Sequence, residues 1–323
     1  MKHCFIINPA AGNGKVQEAL LPGIIAAAKR QGADYEIHRT SGPGEATLYT
    51  GSRLSDNPEE KIRFYSCGGD GTTAEILNGL YGKPNAELGI IPAGSGNDFV
   101  RNFGSNEKFR DVAAQFGGKV FPIDVIKYTY TPKSLVQDAE ENEITQYAVN
   151  MINIGFDAKA AYHMARLKNK LFLKGTGAYI AGVFRELTEY KMSRIIVRLD
   201  GKEPFETSIL LAGVGNGQFS GGGFQGVPAA VVNDGLLDLM YIEPITRRQF
   251  LNKISVYHDG KHPEDSFLKD ITRQYRITSA EIEPVGGLVF TTDGEPHYTE
   301  ETLKISVAPE KVMFILPEGV EYS

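Results

Sequence analysis

Ile62-Arg63-Phe64-Tyr65-Ser66-Cys67-Gly68-Gly69-Asp70-Gly71-Thr72-Thr73-Ala74-Glu75-Ile76-Leu77 is the stretch whose reading decides the fold. Ile62 to Cys67 is a short, largely apolar run and predicts a buried strand. The glycines end it, and Thr73 to Leu80 then carries apolar residues at helical spacing. Thr72-x-x-Glu75 fits a capping box at the helix start. A strand that passes through a glycine-rich turn into a helix gathers bare backbone N–H groups and a positive helix end at one point, which suits a phosphate. A carboxylate in such a loop, Asp70, repels phosphate unless a cation stands between them, so the motif predicts Mg2+. A plain strand–helix turn with a solvated Asp is the competing reading.

The same order of elements recurs on both sides of this stretch. Phe5 to Ile7 predicts a strand, followed by the turn-rich Asn8-Pro9-Ala10-Ala11-Gly12-Asn13-Gly14. Val16, Leu20, Ile24 and Ala28 then lie on one helix face, with Pro22 marking a kink or restart. Tyr35 to His38 is a strand, Glu45 to Leu54 a helix, and Leu88 to Ile91 a strand that runs into Pro92-Ala93-Gly94-Ser95-Gly96-Asn97-Asp98 and a further helix. Strand, loop and helix in repetition predict a Rossmann-like parallel sheet covered by helices over residues 1–120. Loops at the carboxyl ends of neighbouring strands line one crevice, so the two later glycine loops should face one ligand. Ser95 is then placed to contact a phosphate, and Asn97 and Asp98 to hydrogen-bond or to hold metal-bound water. For Asn97 alone a helix cap is the simpler role. In the first loop Asn8 and Pro9 set the shape and Gly12 and Gly14 leave room for a phosphate. Gly14-Lys15 lacks the hydroxyl residue and glycine spacing of a P-loop.

Beyond Gly117-Gly118 the pattern changes. Val125 to Tyr130, Gln146 to Ile154, Arg194 to Leu199, Ile209 to Val214, Leu236 to Ile242, Tyr275 to Ile282, Leu288 to Thr292 and Leu303 to Val307 are β-branched and aromatic runs separated by turn residues. They predict an all-β antiparallel sandwich over 121–308, with a helical insertion at Asp157 to Tyr190 and a polar hairpin loop at 132–143. The tail, about 309–323, returns to the first domain through Val312 to Leu316. His258 and His262 flank a glycine turn and read as a surface loop rather than a metal site. The chain of 323 residues carries a formal charge of −6, which argues against broad nucleic-acid binding. Its two cysteines suggest no disulfide framework, and neither a secretory leader nor an apolar run long enough for a membrane span is visible, so a cytoplasmic protein is expected.

Ordered along nearly the whole chain are Asn8-Pro9-x-x-Gly12, Gly68 through Thr72 with Glu75 and Asn78-Gly79, and Pro92-x-Gly94-Ser95-x-Asn97-Asp98-Phe99. Gly215-Asn216, Gly221-Gly222-Gly223, Asn233-Asp234-Gly235-Leu236-Leu237-Asp238 and Asp293-Gly294-Glu295 follow. In these motifs the chain resembles the diacylglycerol kinase catalytic-domain family, with its bacterial lipid-kinase and sphingosine kinase-like relatives. The resemblance implies a two-domain kinase with ATP in a cleft. Thr40 and the loop Ser66, Cys67, Gly68, Gly69, Asp70, Gly71 and Thr72 would contact ATP, with Ser95, where many relatives have Thr, near the phosphates. Asp70 and Asp98 would belong to a magnesium and water network. Asp293, with Glu295 beside it, would take the proton of the acceptor hydroxyl on a lipid alcohol. A structural metal would be held by Asp234 and the carbonyls of Val231 and Leu236. From the residues alone, Asp293-Gly294 reads first as a hairpin turn, as does Asp234-Gly235.

Within 163–187, Met164, Leu167, Leu171 and Phe172 interleave with Arg166, Lys168, Lys170 and Lys174. Such a helix suits transient contact with an anionic membrane surface, or simply covers one end of the β domain with its cations in water. Two other functional readings stand: an NAD kinase-like enzyme, which shares the Gly-Gly-Asp-Gly-Thr loop, and a non-catalytic sensor of nucleotide or lipid. The motif Asp293-Gly294-Glu295 favours the lipid branch, and the filled acidic positions Asp70, Asp98, Asp234, Asp293 and Glu295 favour an enzyme. Whether the chain forms a homodimer is not written in these patterns.

Overall fold

Four strands, β1 (Lys2–Ile7), β2 (Asp34–Arg39), β3 (Ile62–Gly68) and β4 (Ala86–Pro92), alternate with three helices, α1 (Val16–Gln31), α2 (Glu45–Asp56) and α3 (Asp70–Leu80), in a computed structural model that describes residues 1–104, 106–133, 142–171, 187 and 190–322. Neighbouring strands in the order β2-β1-β3-β4 are parallel. β3 and β4 are buried along their whole length, as strands covered on both faces must be. β2, which carries Asp34, Glu36 and Arg39, lies at the edge, where charge blunts the open row of backbone groups. α1 turns Ile24, Ala27 and Ala28 inward and continues without a break through Pro22.

After β4 the expected regular helix is replaced by a five-residue 3-10 turn, Phe99–Phe103, and two short helices, α4 (Asn106–Arg110) and α5 (Val112–Phe116). The next strand, β5 (Lys119–Ile123), which the sequence pattern did not reveal, still belongs to the first sheet.

The second unit, Ile126–Ala308, holds two antiparallel six-stranded sheets. In chain order its elements are β6 (Ile126–Tyr130), β7 (Ile144–Ala148), β8 (Met151–Gly155), α6 (Phe156–Leu171), β9 (Ser193–Leu199), β10 (Phe205–Ile209), β11 (Leu211–Gly215), β12 (Leu237–Ile242), α7 (Arg247–His258), β13 (Thr272–Ile277), β14 (Ser279–Pro284), β15 (Leu288–Thr292), β16 (Glu295–Thr299) and β17 (Leu303–Val307). One sheet runs β10-β9-β14-β17-β6-β7 and the other β13-β12-β11-β8-β15-β16. Their inner faces, with Ile126, Ile152, Val197, Leu239, Phe290 and Ile305 among them, form one apolar core.

The strand patterns at Gln146 to Ile154, Ile209 to Val214 and Tyr275 to Ile282 each resolve into two strands in different sheets. Each crossing takes only one or two residues, the buried Val149-Asn150 and Leu210 and the exposed Thr278, too few to interrupt the strand pattern. α7 was also hidden in the pattern, although Thr246 and Gln249 form a full capping box at its start. His262 is buried with burial lowering its pKa to about 4, so it is no surface residue, while His258 is exposed beside Asp259. The polar hairpin loop falls mostly outside the described residues, as do the side chains from Met164 onward in the basic segment. The last strand, β18 (Val312–Leu316), rejoins the first sheet, parallel to β4 and antiparallel to β5, so the first unit consists of Met1–Val125 and Pro309–Ser323.

Candidate active site

In the first unit the loops after β1, β3 and β4 are stitched into one cluster. Asn8 donates its backbone N–H to Cys67 O at 3.1 Å and its side-chain amide to Thr72 Oγ1 at 3.2 Å. Asn8 Oδ1 accepts from Ala10 N at 2.9 Å, the Asx turn that shapes the Pro9 loop. Gly12 N donates to Ala93 O at 3.0 Å, and Ala93 N to Gly68 O at 2.9 Å. The two later loops meet glycine to glycine: a Cβ on Gly94 would lie 2.5 Å from the Gly69 Cα, and one on Gly96 2.6 Å from Asp70 Oδ2. Only glycine permits this approach. Thr40 N donates to Ile7 O at 3.0 Å, which places Thr40 at the end of β2 beside this cluster.

Asp70 opens α3 and turns its carboxylate to the third loop, where Oδ2 accepts from Asn97 N at 2.8 Å and Oδ1 from Asp98 N at 3.1 Å. Backbone amides thus provide the positive partners that sequence reasoning assigned to a metal. Asp98, itself buried, pairs with Arg101 at 3.2 Å. Asn97 adopts a left-handed φ of 53° and closes its own loop, accepting from Gly94 N at 3.1 Å and donating to Gly94 O at 2.6 Å. It caps no helix. Ser95 lies exposed at the tip between them.

Three expected site residues have other work. Ser66 is fully buried and its hydroxyl accepts from Thr73 Oγ1 at 2.9 Å. Cys67 is fully buried, and burial raises its thiol far above the usual range, so only its backbone is available to a ligand. Glu75 forms no capping box with Thr72, and no side chain caps α3. Its two carboxylate oxygens instead accept from Gly44 N at 2.9 Å and Ala46 N at 3.1 Å, capping α2 from the neighbouring helix. Glu75 thereby braces the segment that follows Thr40. With no side chain capping α3, the N–H groups of Gly71 and Thr72 in its first turn suit an anion.

In the second unit, Asp293 and Gly294 form the two-residue turn between β15 and β16, both at positive φ, 49° and 89°. This is the primed hairpin turn expected of Asp-Gly. The turn also aims the carboxylate. Asp293 Oδ2 accepts from Val149 N at 2.8 Å, and Oδ1 from Asn150 N and Met151 N, each at 3.0 Å. These are the amides freed where the chain passes from β7 to β8 and changes sheets. No sequence signal could have joined Asp293 to residues more than 140 positions earlier. Glu295 begins β16 and is exposed. Asn216 supports the same corner by donating to Val149 O at 2.9 Å.

Asp234 is also a turn residue: its Oδ1 accepts from Leu236 N at 3.0 Å, and its Oδ2 pairs with Arg276 Nη2. Strand register sets Arg276 opposite Asp238, with Nε 3.9 Å from Asp238 Oδ1. Burial raises the Asp238 carboxyl, and Arg276 opposes that shift. Arg276 and the Leu236 amide thus engage both carboxylate oxygens of Asp234, the one side-chain ligand in the Val231, Asp234 and Leu236 set. Among the described residues no group of three His, Cys, Asp or Glu is disposed to hold a metal.

Residues 2–128 match the diacylglycerol kinase catalytic domain, and residues 150–316 match the YegS C-terminal NAD kinase beta sandwich-like domain. A protein named "probable lipid kinase YegS-like" from Alcanivorax borkumensis is 26% identical over 90% of each chain. A protein named diacylglycerol kinase from Mycobacterium tuberculosis is 27% identical over 80% of this chain and 79% of its own. Among solved structures, one described as a diacylglycerol kinase from Bacillus anthracis is 24% identical and superposes with a TM-score of 0.67 over 99% of this chain and 98% of that one. At that identity it shows a shared fold.

Proposed function

From the premise that this chain belongs to the diacylglycerol kinase catalytic-domain family, in its YegS-type branch, we propose that it is an ATP-dependent lipid kinase acting on diacylglycerol or a related lipid alcohol. The observation that carries the reading is the stitched cluster of three loops, whose glycines allow a close backbone approach beside the start of α3, where no side chain caps the amides of Gly71 and Thr72 and they suit phosphate oxygens. The amides of Gly71 and Thr72 and the Ser95 hydroxyl bind the phosphates, Gly12, Gly68, Gly69 and Gly94 leave room for them, and Thr40 lies on the nucleoside side. Asp70 holds the third loop against the second. Asp70 is held by the amides of Asn97 and Asp98, and Asp98 by Arg101, so Mg2+ enters with the nucleotide, as part of that substrate.

Asp293 takes the proton of the acceptor. Its carboxylate is an acceptor-only group, oriented by three amides, and removes the hydroxyl proton as the oxygen forms its bond to the γ-phosphorus and the bond to the ADP oxygen breaks. Glu295 adds negative charge beside it. The relatives' names support a lipid as acceptor. Among the described residues no helix is long and apolar enough to cross a membrane. A lipid substrate therefore calls for peripheral contact, which the cations of 163–187 would supply to an anionic surface of the cytoplasmic leaflet.

The deciding experiment offers labelled ATP and Mg2+ with a panel of diacylglycerol, other lipid alcohols and NAD. Label is expected in a lipid. Label in NADP alone would refute the lipid reading in favour of an NAD kinase, and bound ATP with no transfer would indicate a sensor. Asp293→Asn is expected to keep nucleotide binding and lose most turnover; full turnover in that variant removes Asp293 from its role.

A further inference from the structure

Five side chains inside the second unit form an unbroken hydrogen-bonded row that passes through the residue before Asp293. Tyr128 Oη lies 2.8 Å from Gln146 Oε1 and 3.2 Å from Thr292 Oγ1. Thr292 Oγ1 lies 2.8 Å from His297 Nε2, and His297 Nδ1 lies 2.9 Å from Tyr130 Oη. Tyr128, Tyr130 and Thr292 are buried, and the His297 ring stacks on Phe290 in the sandwich core.

With Gln146 Oε1 turned to Tyr128, the chemistry of the groups assigns every proton. Gln146 Oε1 only accepts, so the Tyr128 hydroxyl donates to it. Tyr128 Oη therefore accepts from Thr292, which spends its single proton there. Thr292 Oγ1 must then accept from His297 Nε2–H, which leaves Nδ1 to accept from Tyr130. Burial lowers His297 to about 4, so the ring is neutral at neutral pH, as this row requires. All four bonds run in one direction and polarise one another, and breaking any of them strands a polar group in an apolar core.

The row joins β6 and β7 of one sheet to β15 and β16 of the other. Its central member, Thr292, is the last residue of β15, and Asp293 follows at a φ of 49° as the first residue of the hairpin turn, so the position of Thr292 fixes where that turn starts. We propose that the row Tyr130–His297–Thr292–Tyr128–Gln146 is the positioning device of Asp293, pinning β15 at Thr292 so that the carboxylate stays on the amides of 149–151. These are positioning residues, and the proposal rests on the reading of Asp293 as proton acceptor.

Three measurements test it. Nitrogen NMR of the wild-type protein at pH 7 should show His297 as the neutral Nε2–H tautomer; an Nδ1–H tautomer or a charged ring overturns the row. Amide hydrogen exchange at Val149, Asn150 and Met151 should accelerate at least tenfold in Thr292→Val and stay near wild type in Thr292→Ser, which keeps the hydroxyl. Unchanged protection in a folded Thr292→Val overturns the positioning role, whatever the enzyme's substrate. If the wild type transfers phosphate to a lipid, Thr292→Val should lower kcat at least tenfold with KM for ATP unchanged. That loss should vanish in an Asp293→Asn background, because the row acts through Asp293. A loss of equal size in that background indicates a general structural role and refutes the proposal. A wild type that transfers no phosphate refutes the functional reading and leaves the exchange result to decide the row.

Discussion

Replacing Glu75 by Ala separates the role this residue has in the fold from the one its sequence suggests. The spacing Thr72-x-x-Glu75 predicts a cap on α3, whereas both carboxylate oxygens serve Gly44 N and Ala46 N at the start of α2. α2 has Gly44 as its N-cap and receives no other side-chain cap, so the substitution leaves the helix start bare. Gly44 is exposed and its N–H recovers a partner from water, but Ala46 is fully buried. A hydrogen bond from a buried amide to a charged acceptor contributes roughly 1.5–3 kcal/mol. Loss of a carboxylate near the helix N-terminus adds about 0.3–1 kcal/mol, and part of both is recovered by hydration. A net loss of about 2 kcal/mol is expected, with Glu75→Gln near half of that because one oxygen remains. For a unit of this size the Ala variant should melt roughly 4–8 °C lower. Urea unfolding followed by circular dichroism gives the free energy, and hydrogen exchange gives the place. Faster exchange should concentrate at Gly44 and Ala46. A melting temperature unchanged within a degree, or exchange that quickens at Gly71 and Thr72 with Ala46 still protected, refutes the cap on α2. Because α2 follows Thr40, KM for ATP should also rise in the Ala variant.

Gly94→Ala puts a Cβ 2.5 Å from the Gly69 Cα, and both partners are backbone, so the loops must separate. A loss of roughly 1–3 kcal/mol and a rise of at least tenfold in KM for ATP are expected, read by urea titration and steady-state kinetics. Asp157 is partly buried at the start of α6, and loss of solvent raises its carboxyl to about 6 against the opposing hydrogen bond from Tyr257. A carboxyl whose folded pKa lies above its unfolded value costs the fold nothing below about pH 4 and its full penalty above about pH 6. Asp157→Asn should therefore match wild type in stability at pH 3.5 and exceed it by on the order of 2 kcal/mol at pH 7. Parallel unfolding curves across that range would contradict the burial of this group.

Much of the first unit was legible from residue order, because its contacts are local. A strand, a glycine turn and a helix signal themselves within about twenty residues, and adjacent parallel strands carry their loops to one edge. The cluster of Asn8, Gly12, Gly68 to Thr72 and Gly94 to Asp98 follows from that rule. The roles within it do not. Ser66 and Cys67 are both buried because helices cover both faces of β3, and Asp70 turns to the amides of Asn97 and Asp98. In the second unit the periodicity announced strands and concealed where they change sheets, since each crossing occupies only one or two residues.

Asp293 shows the division most plainly. The pair Asp293-Gly294 by itself determined a hairpin turn, because few residue pairs accept positive φ at both positions. That the same aspartate presents its carboxylate to Val149, Asn150 and Met151 was decided only when the sandwich closed. Those amides are free because β7 and β8 part to join different sheets. A turn is a property of adjacent backbone angles and can be read along the chain. An anchored carboxylate is a property of two distant segments held in register, and only the tertiary structure brings them together.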